Sequence, residues 1–335
     1  MRILTVIGSR PQYIKVKPLH DYLRSRKDLE LILMDTGQHY SDNMSDIFID
    51  ELKLQIDFTL NIENLDCIQF IGSAIQEIAK QVREIRPDII LVLGDTNSAL
   101  TAAMVANKLK IPVGHIESGI RCGDRNRPEE MNRILIDEVS DIHFTSRKKD
   151  GKNVSDPVYI GDLEYALLNY LDNRGLIGEI DYEDWLLMTI HREENTIKER
   201  FQSILNSCHH LGRDIIFPIH HRTKKLIDDC HIEIPPNITL KEPLSYFEMI
   251  KALSKCGGVI SDSGGVIKTI PFFGKKCIIP LESVEWDDVV SCNFAETSFN
   301  KNLFDHEPGR NKNMFYNRHC CGIIVESCRG ILKSR

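Results

Sequence analysis

Short apolar runs rich in β-branched residues recur along this chain, and stretches with helical periodicity separate them. The runs are 2–7 (RILTVI), 30–34 (ELILM), 88–93 (DIILVL), 111–116 (IPVGHI), 141–145 (DIHFT), 185–190 (WLLMTI), 214–219 (DIIFPI), 257–261 (GGVIS) and 276–281 (KCIIPL). Runs this apolar are buried on both faces, which predicts parallel strands covered by helices. Helices are expected at 14–26, 67–85, 97–109, 128–139, 196–211, 245–254 and 314–333. The alternation predicts an α/β fold of doubly wound type. At 335 residues the chain exceeds one ordinary core, so two domains are expected. The pattern weakens at "LDNRGLIGEIDYED", which places the boundary near 168, giving 1–168 and 169–313.

Ligands in open parallel sheets bind beyond the carboxyl ends of the strands. Two such sheets facing each other would form a cleft lined by post-strand loops. Those loops carry Gly8-Ser9-Arg10-Pro11-Gln12 with Lys15 one turn on, Gly37-Gln38-His39, Gly94-Asp95-Thr96-Asn97, and His115 through Arg121 followed by Pro128-Glu129-Glu130. The second half adds His191-Arg192-Glu193-Glu194-Asn195, Pro218-Ile219-His220-His221-Arg222, and Ser261 to Gly265. A structural loop needs Gly, Pro, Asn or Asp, not His, Arg and Glu at almost every strand end. Each feature also has a plain structural reading. Asp95 suits a helix N-cap, Pro128-Glu129-Glu130 a first helical turn, His191 a core histidine, and Gly264-Gly265 a simple turn. Their joint placement on one edge favours a polar active cleft.

Ser263-Gly264-Gly265 can expose backbone N–H groups to an anion at the positive end of a helix. The Walker spacing is absent, because Ile267 stands where glycine is needed, and no G-x-G-x-x-G follows a strand. The anion is therefore expected to be a nucleotide or sugar phosphate, with Arg10, Arg192 and Arg222 as further phosphate ligands. A net charge of −7 gives no field to recruit nucleic acid, and no apolar run approaches the length of a membrane span. The opening "MRILTVIGSRP" reads as a buried strand rather than a signal peptide. The ten cysteines include no C-x-x-C, which indicates a reducing, cytoplasmic setting. Cys208-His209-His210 and Cys230-His231 do not read as a zinc site, because neighbours in one helix point in different directions.

In order along the chain, "GSRPQYIK", "TGQHY", "GDTNS", "HIESGIR", "RPEEMNR", "TIHREEN", "FPIHHRTKK", "SDSGG" and "FFGKKC…VEW" resemble the non-hydrolysing UDP-N-acetylglucosamine 2-epimerase family. The Gly-x-Arg-Pro-Gln opening and Glu285-Trp286 are most similar to its branch acting on modified UDP-sugars, including 2,3-diacetamido glucuronates. The resemblance spans residues 1 to about 290, and the tail "YNRHCCGIIVESC" resembles the family's last helix. It implies two Rossmann-like domains in a GT-B-like arrangement with a UDP-aminosugar between them. The last helix, 314–335, would cross back onto the first domain. It also implies a homodimer, with neither metal nor redox cofactor.

Inverting C2 of such a sugar is not simple proton exchange, since C2–H has no adjacent carbonyl. Loss of the C2 proton with departure of UDP from C1 gives a glycal, and re-addition with a proton from the other face gives the epimer. This needs proton-transfer groups at both faces, donors for the diphosphate, and exclusion of water. By resemblance, Asp95, Glu117 and Glu129 are the acid/base carboxylates, and Lys15 and His191 assist. Arg10, Arg121, Arg192, His220, Ser263, Gly264 and Gly265 would contact the substrate, with Gln38 and His39 on the other polar edge. The family has a glutamate where this chain has Thr269, and Ile267, Leu281 and Val284 also depart from its pattern. A neutral bond from Thr269 to ribose in place of a charged one predicts a grip on UDP weaker by ~10-fold. A hydrolysing variant that releases UDP, a GT-B glycosyltransferase and a non-catalytic nucleotide-sugar binder remain open alternatives.

Overall fold

The apolar runs become parallel strands in two separate sheets. The structure is a computed structural model that describes residues 1–38, 44–60, 62, 66–219, 221–281 and 284–334, with side chains described for all of these except 44–46, 221 and 222. The chain divides into two units, Met1–Leu167 with Phe315–Arg335, and Leu168–Met314.

The first unit runs β1 (Arg2–Ile7), α1 (Arg10–Arg24), β2 (Glu30–Asp35), α2 (Met44–Glu51), β3 (Phe58–Thr59), α3 (Cys67–Ile85), β4 (Ile89–Leu93), α4 (Asn97–Lys108), β5 (Val113–Ile116), α5 (Pro128–Val139), β6 (Ile142–Thr145) and β7 (Pro157–Tyr159). Its strands lie in the order β3-β2-β1-β4-β5-β6-β7, all parallel. Helix α6 (Leu163–Asn173) carries the division between the units. The second unit follows with β8 (Glu183–Thr189), α7 (Lys198–His209), β9 (Asp214–Pro218), α8 (His221–Cys230), β10 (Ile238–Lys241), α9 (Tyr246–Lys255), β11 (Cys256–Ser261), α10 (Gly264–Phe273), β12 (Cys277–Ile278), α11 (Asp287–Ser291) and β13 (Ala295–Glu296). Its order is β10-β9-β8-β11-β12-β13, again parallel. The last helix, α12 (Cys320–Ser334), belongs to the first unit, where Arg329 pairs with Asp28.

Both sheets are doubly wound, as expected. Each reverses its strand order once, between β1 and β4 in the first and between β8 and β11 in the second, and such switch points open the crevice where ligands bind. Helices α3 and α4 press Phe70, Ala74, Ile78, Ala99 and Ala103 onto Leu4, Val6, Ile90 and Val92 of the first sheet. In the second, Phe201, Leu205 and Cys208 of α7 cover Leu186, Met188, Ile215 and Phe217.

Helices 67–85 and 128–139 form as the periodicity predicts. Asp66 starts α3 by accepting from the amides of Ile68 and Gln69 at 2.9 Å, and Arg86 ends it in a left-handed conformation. Helix α1 starts four residues earlier than expected, because Ser9 and Pro11 form its first turn. Strand β12 stops after Ile278, close to Pro280, which has no N–H to donate. Strands β3, β7, β10 and β13 were not expected. The four strands are two to four residues long and lie at or next to sheet edges, where one face needs no apolar run.

Among the described residues no helix is long and apolar enough to cross a membrane, and no group of three or more His, Cys, Asp or Glu is placed to hold a metal ion. Cys208 is packed against the Met188 sulfur, and burial pushes its thiol up to about 12.

Candidate functional site

In the first unit the switch point is built on glycine and glutamine. A Cβ on Gly8 would lie 2.0 Å from Thr36 Oγ1, so only glycine lets the end of β1 pass so close to the end of β2. The Gly8 amide donates to Gln12 Oε1 at 2.8 Å, and Gln12 Nε2 donates to the Leu93 carbonyl at 2.8 Å and to Thr96 Oγ1 at 2.9 Å. This ties the start of α1 to the end of β4. Thr96, not Asp95, caps α4, accepting from the Ala99 amide at 3.1 Å. The capping reading of Asp95 therefore fails, and its side chain is used elsewhere.

The carboxylates stand at the ends of β4 and β5, each against a cation. Glu117 Oε2 lies 2.5 Å from Lys15 Nζ, and both side chains are largely buried. Glu117 has φ +68, a left-handed conformation that disfavours a side chain and has to be held by its surroundings. Its carboxylate comes to 3.3 Å from where a Gly94 Cβ would be, beside Asp95. Asp95 Oδ2 lies 2.5 Å from Arg133 Nη2 of α5, and Asn132 Nδ2 donates to the Asp95 carbonyl at 2.8 Å. Lys15, Asp95 and Glu117 are thus drawn to one edge of one unit.

Helix α5 contributes two acids with opposite fates. Glu129, in the first turn, is exposed. Glu130 is buried and accepts from the amides of Cys122 and Gly123 at 3.0 and 3.1 Å. Burial opposes its charge, yet those bonds and Arg133 hold its carboxyl below the usual range. Arg121 Nη1 reaches Asp137 Oδ2 at 2.7 Å. Arg10 stands 5.7 Å over the Phe48 ring, and burial lowers its guanidinium. Gln38 Oε1 accepts from the Ser98 amide at 2.9 Å and its hydroxyl at 2.8 Å, so this side chain clasps the start of α4.

In the second unit Asp262 organises the switch point. Fully buried, it accepts from the amides of His191 and Arg192 at 3.1 and 3.0 Å and from Asn195 Nδ2 at 3.0 Å. His191 is not a core histidine: its side chain is 47% exposed, with Nδ1 3.4 Å from Asp262 Oδ1. Ser263 stands at the N-cap position of α10 without a capping side-chain bond, and Gly264 and Gly265 open that helix rather than forming a turn. Around Gly264 stand Glu285 Oε2, Trp286 Nε1 and Arg192 Nη2, each 3.5 to 3.7 Å from an added Cβ, and Arg192 pairs with Glu285 at 2.8 Å. A Cβ on Gly265 would meet nothing nearer than Ser263 Oγ at 4.0 Å. Packing within the unit therefore does not demand that glycine, whereas close approach of an anion to the backbone would.

Thr269 is buried, and its hydroxyl donates to the Val266 carbonyl at 2.8 Å within α10. Ile267 and Leu281, two of the departures from the family pattern, are buried apolar side chains. His39 and His220 lie outside the described residues, as does the side chain of Arg222. The sequence reading missed Asp137 and Arg133 and gave no separate role to Asp262. A signal existed for Asp137: it follows Glu130 by two helical turns on the face of α5 that turns inward.

A family model described as UDP-N-acetylglucosamine 2-epimerase matches residues 21–298. A UDP-2,3-diacetamido-2,3-dideoxy-D-glucuronate 2-epimerase of Pseudomonas aeruginosa is 35% identical over 87% of this chain and 86% of its own. A UDP-N-acetylglucosamine 2-epimerase homolog of Methanococcus maripaludis is 36% identical with the same coverage. The crystal structure of Methanocaldococcus jannaschii UDP-GlcNAc 2-epimerase in complex with UDP-GlcNAc and UDP superposes with a TM-score of 0.85. It is 29% identical, and the match covers 98% of this chain and all of the other.

Proposed function

The chain belongs to the UDP-N-acetylglucosamine 2-epimerase family, and from that premise we propose that it inverts C2 of a UDP-N-acetylaminosugar, either UDP-GlcNAc or a modified derivative, for glycan precursor synthesis. The base removes the C2 proton, the C1–O bond to UDP breaks, and C1=C2 forms. A proton then returns to the opposite face of C2 while a UDP oxygen re-attacks C1. Asp95, Glu117 and Glu129 carry the proton transfers, with Lys15 at Glu117. The second unit holds UDP through the α10 amides, Arg192 and His191, and His220, Arg10 and Arg121 add contacts.

One observation carries this reading. Glu117 sits in a left-handed conformation, nearly buried, 2.5 Å from Lys15 and beside the glycine that precedes Asp95. A strained acid held against a cation at a switch point is suited to chemistry rather than to stability. Glu129, exposed on the first turn of α5, is free to act where Glu130 is spent on the backbone of Cys122 and Gly123.

Two finer readings accompany it. All ten cysteines are unpaired, which supports a reducing cytoplasm. Exposed Ile68, Met104 and Leu135 on the neighbouring helices α3, α4 and α5 support a homodimer, read by light scattering.

The decisive experiment incubates UDP-aminosugars in heavy water and follows proton and phosphorus NMR. Deuterium at C2 with UDP still attached is expected. Accumulating free UDP would replace this reading with a hydrolysing 2-epimerase, and binding without deuterium uptake would replace it with a non-catalytic binder.

A further inference from the structure

A buried carboxylate on α5 governs the loop that carries Glu117. Asp137 is 5% exposed. It accepts from Ser118 Oγ at 2.6 Å, the Gly119 amide at 3.1 Å and Arg121 Nη1 at 2.7 Å, and it lies 2.6 Å from His115 Nδ1. Burial opposes its charge, but the bonds from His115, Ser118 and Arg121 outweigh that and hold its carboxyl far below the usual range. The other ring nitrogen of His115 stands 2.8 Å from the Gly94 carbonyl oxygen. A carbonyl only accepts, and Asp137 already accepts from a hydroxyl, an amide and a guanidinium. Each ring nitrogen of His115 therefore faces an acceptor, and both are placed to donate. His115 is wholly buried, so water does not compete for either bond.

The two ends of this bridge are functional backbone. Gly94 immediately precedes Asp95, and the Asp137 bonds surround Glu117 on the loop from Ser118 to Arg121. Gly94, Glu117 and Gly119 all have positive φ, at +64, +68 and +80, so both loops take conformations that need holding. We propose that His115 and Asp137 form a positioning pair for the C2 proton transfer, a doubly protonated imidazole clamped between a carboxylate and the Gly94 carbonyl that fixes the separation of Asp95 and Glu117. This rests on the function proposed above. The pair itself does not touch the reacting atoms. It acts by geometry, where a displacement of about 1 Å at a catalytic group can cost ~10²-fold in rate.

The test has two independent arms. In nitrogen-15 spectra of the whole protein, His115 is expected to show two slowly exchanging ring N–H protons, identified by their disappearance in His115→Phe. A single ring proton would overturn the bridge, whatever the enzyme's activity. In kinetics, His115→Phe is expected to lower kcat by ~10²-fold with KM and UDP affinity unchanged, and Asp137→Asn, which also releases Arg121, to lower kcat at least as much. An unchanged kcat in a folded His115→Phe protein would overturn the positioning role. Ser118→Ala removes one donor only, and a smaller loss confined to kcat is expected there. That variant decides the matter if the larger changes prevent folding, an unaltered kcat counting against the proposal. Failure of wild-type protein to exchange C2 hydrogen would overturn the proposed function and leave the ring-proton result standing.

Discussion

The two units share a strand order but treat their polar residues in opposite ways. In the first, the charges at the sheet edge are closed in pairs: Lys15 with Glu117, Asp95 with Arg133, Arg121 with Asp137. In the second, Arg192 is also paired, with Glu285, but the buried acid Asp262 is spent on backbone amides, His191 stands half in solvent, and the start of α10 has room at Gly265. The difference matches two tasks. Proton transfer needs acid and base groups held at fixed spacing before substrate arrives. Gripping a diphosphate needs room for it against the backbone amides that open a helix.

The sharpest way to break this contrast is to neutralise the acids of the first unit. Glu117→Gln and Asp95→Asn are each expected to lower kcat by at least ~10²-fold, with UDP affinity by calorimetry little altered. Weakened UDP binding with normal turnover would reverse the division of labour. The converse change is Gly265→Ala. A Cβ there has space, so the melting temperature should hold or rise slightly, since alanine exceeds glycine in a helix by about 1 kcal/mol. If a phosphate rests on that backbone, UDP affinity should still fall, by ~10-fold, the loss of roughly one charge-assisted hydrogen bond. Unchanged affinity would remove the cradle.

The acid limb of stability offers a further test of the first unit. Asp137 and Glu130 are both held below the ordinary carboxylate value, Asp137 far below it. A depressed carboxyl contributes stability that is complete above its unfolded value, about 4, and lost as pH falls through its folded value. Asp137→Asn should therefore lower stability at neutral pH and flatten the decline below about pH 4, read by urea unfolding across pH. A parallel decline in variant and wild type would mean that the buried acid carries no such linkage. The smallest effect is expected at Thr269→Val, because the hydroxyl is turned onto Val266 within its own helix. UDP affinity should be unchanged there, whereas a ~10-fold loss would restore Thr269 as a ribose ligand.

Much of the architecture was legible because burial on both faces leaves an unbroken apolar run, as at 2–7 and 89–93, and because α3 and α5 carry an inward stripe with a capping Asp66 or a leading Pro128. Strands such as Phe58–Thr59 and Ala295–Glu296 were not, since a two-residue edge strand is made by its partner's free N–H and C=O groups and leaves no period to read. At the site, Glu117 stood out as a charge where a loop needs none, and Asp95 and Lys15 by their place just after strand ends. Asp262 did not, because a buried aspartate and a solvated one look alike until their donors are located, and Asp137 showed only by its place on the inward face of α5.

By itself, then, the order of apolar and polar residues determined two parallel sheets and the loops that follow their strands, because burial and periodicity are properties of near neighbours along the chain. The tertiary structure alone decided which of Glu129 and Glu130 faces outward, which residue caps α4, and that both ring nitrogens of His115 face acceptors. Those outcomes depend on which donors and acceptors meet in space, and hydrogen bonds are won or lost over a few tenths of an ångström that no one-dimensional pattern records.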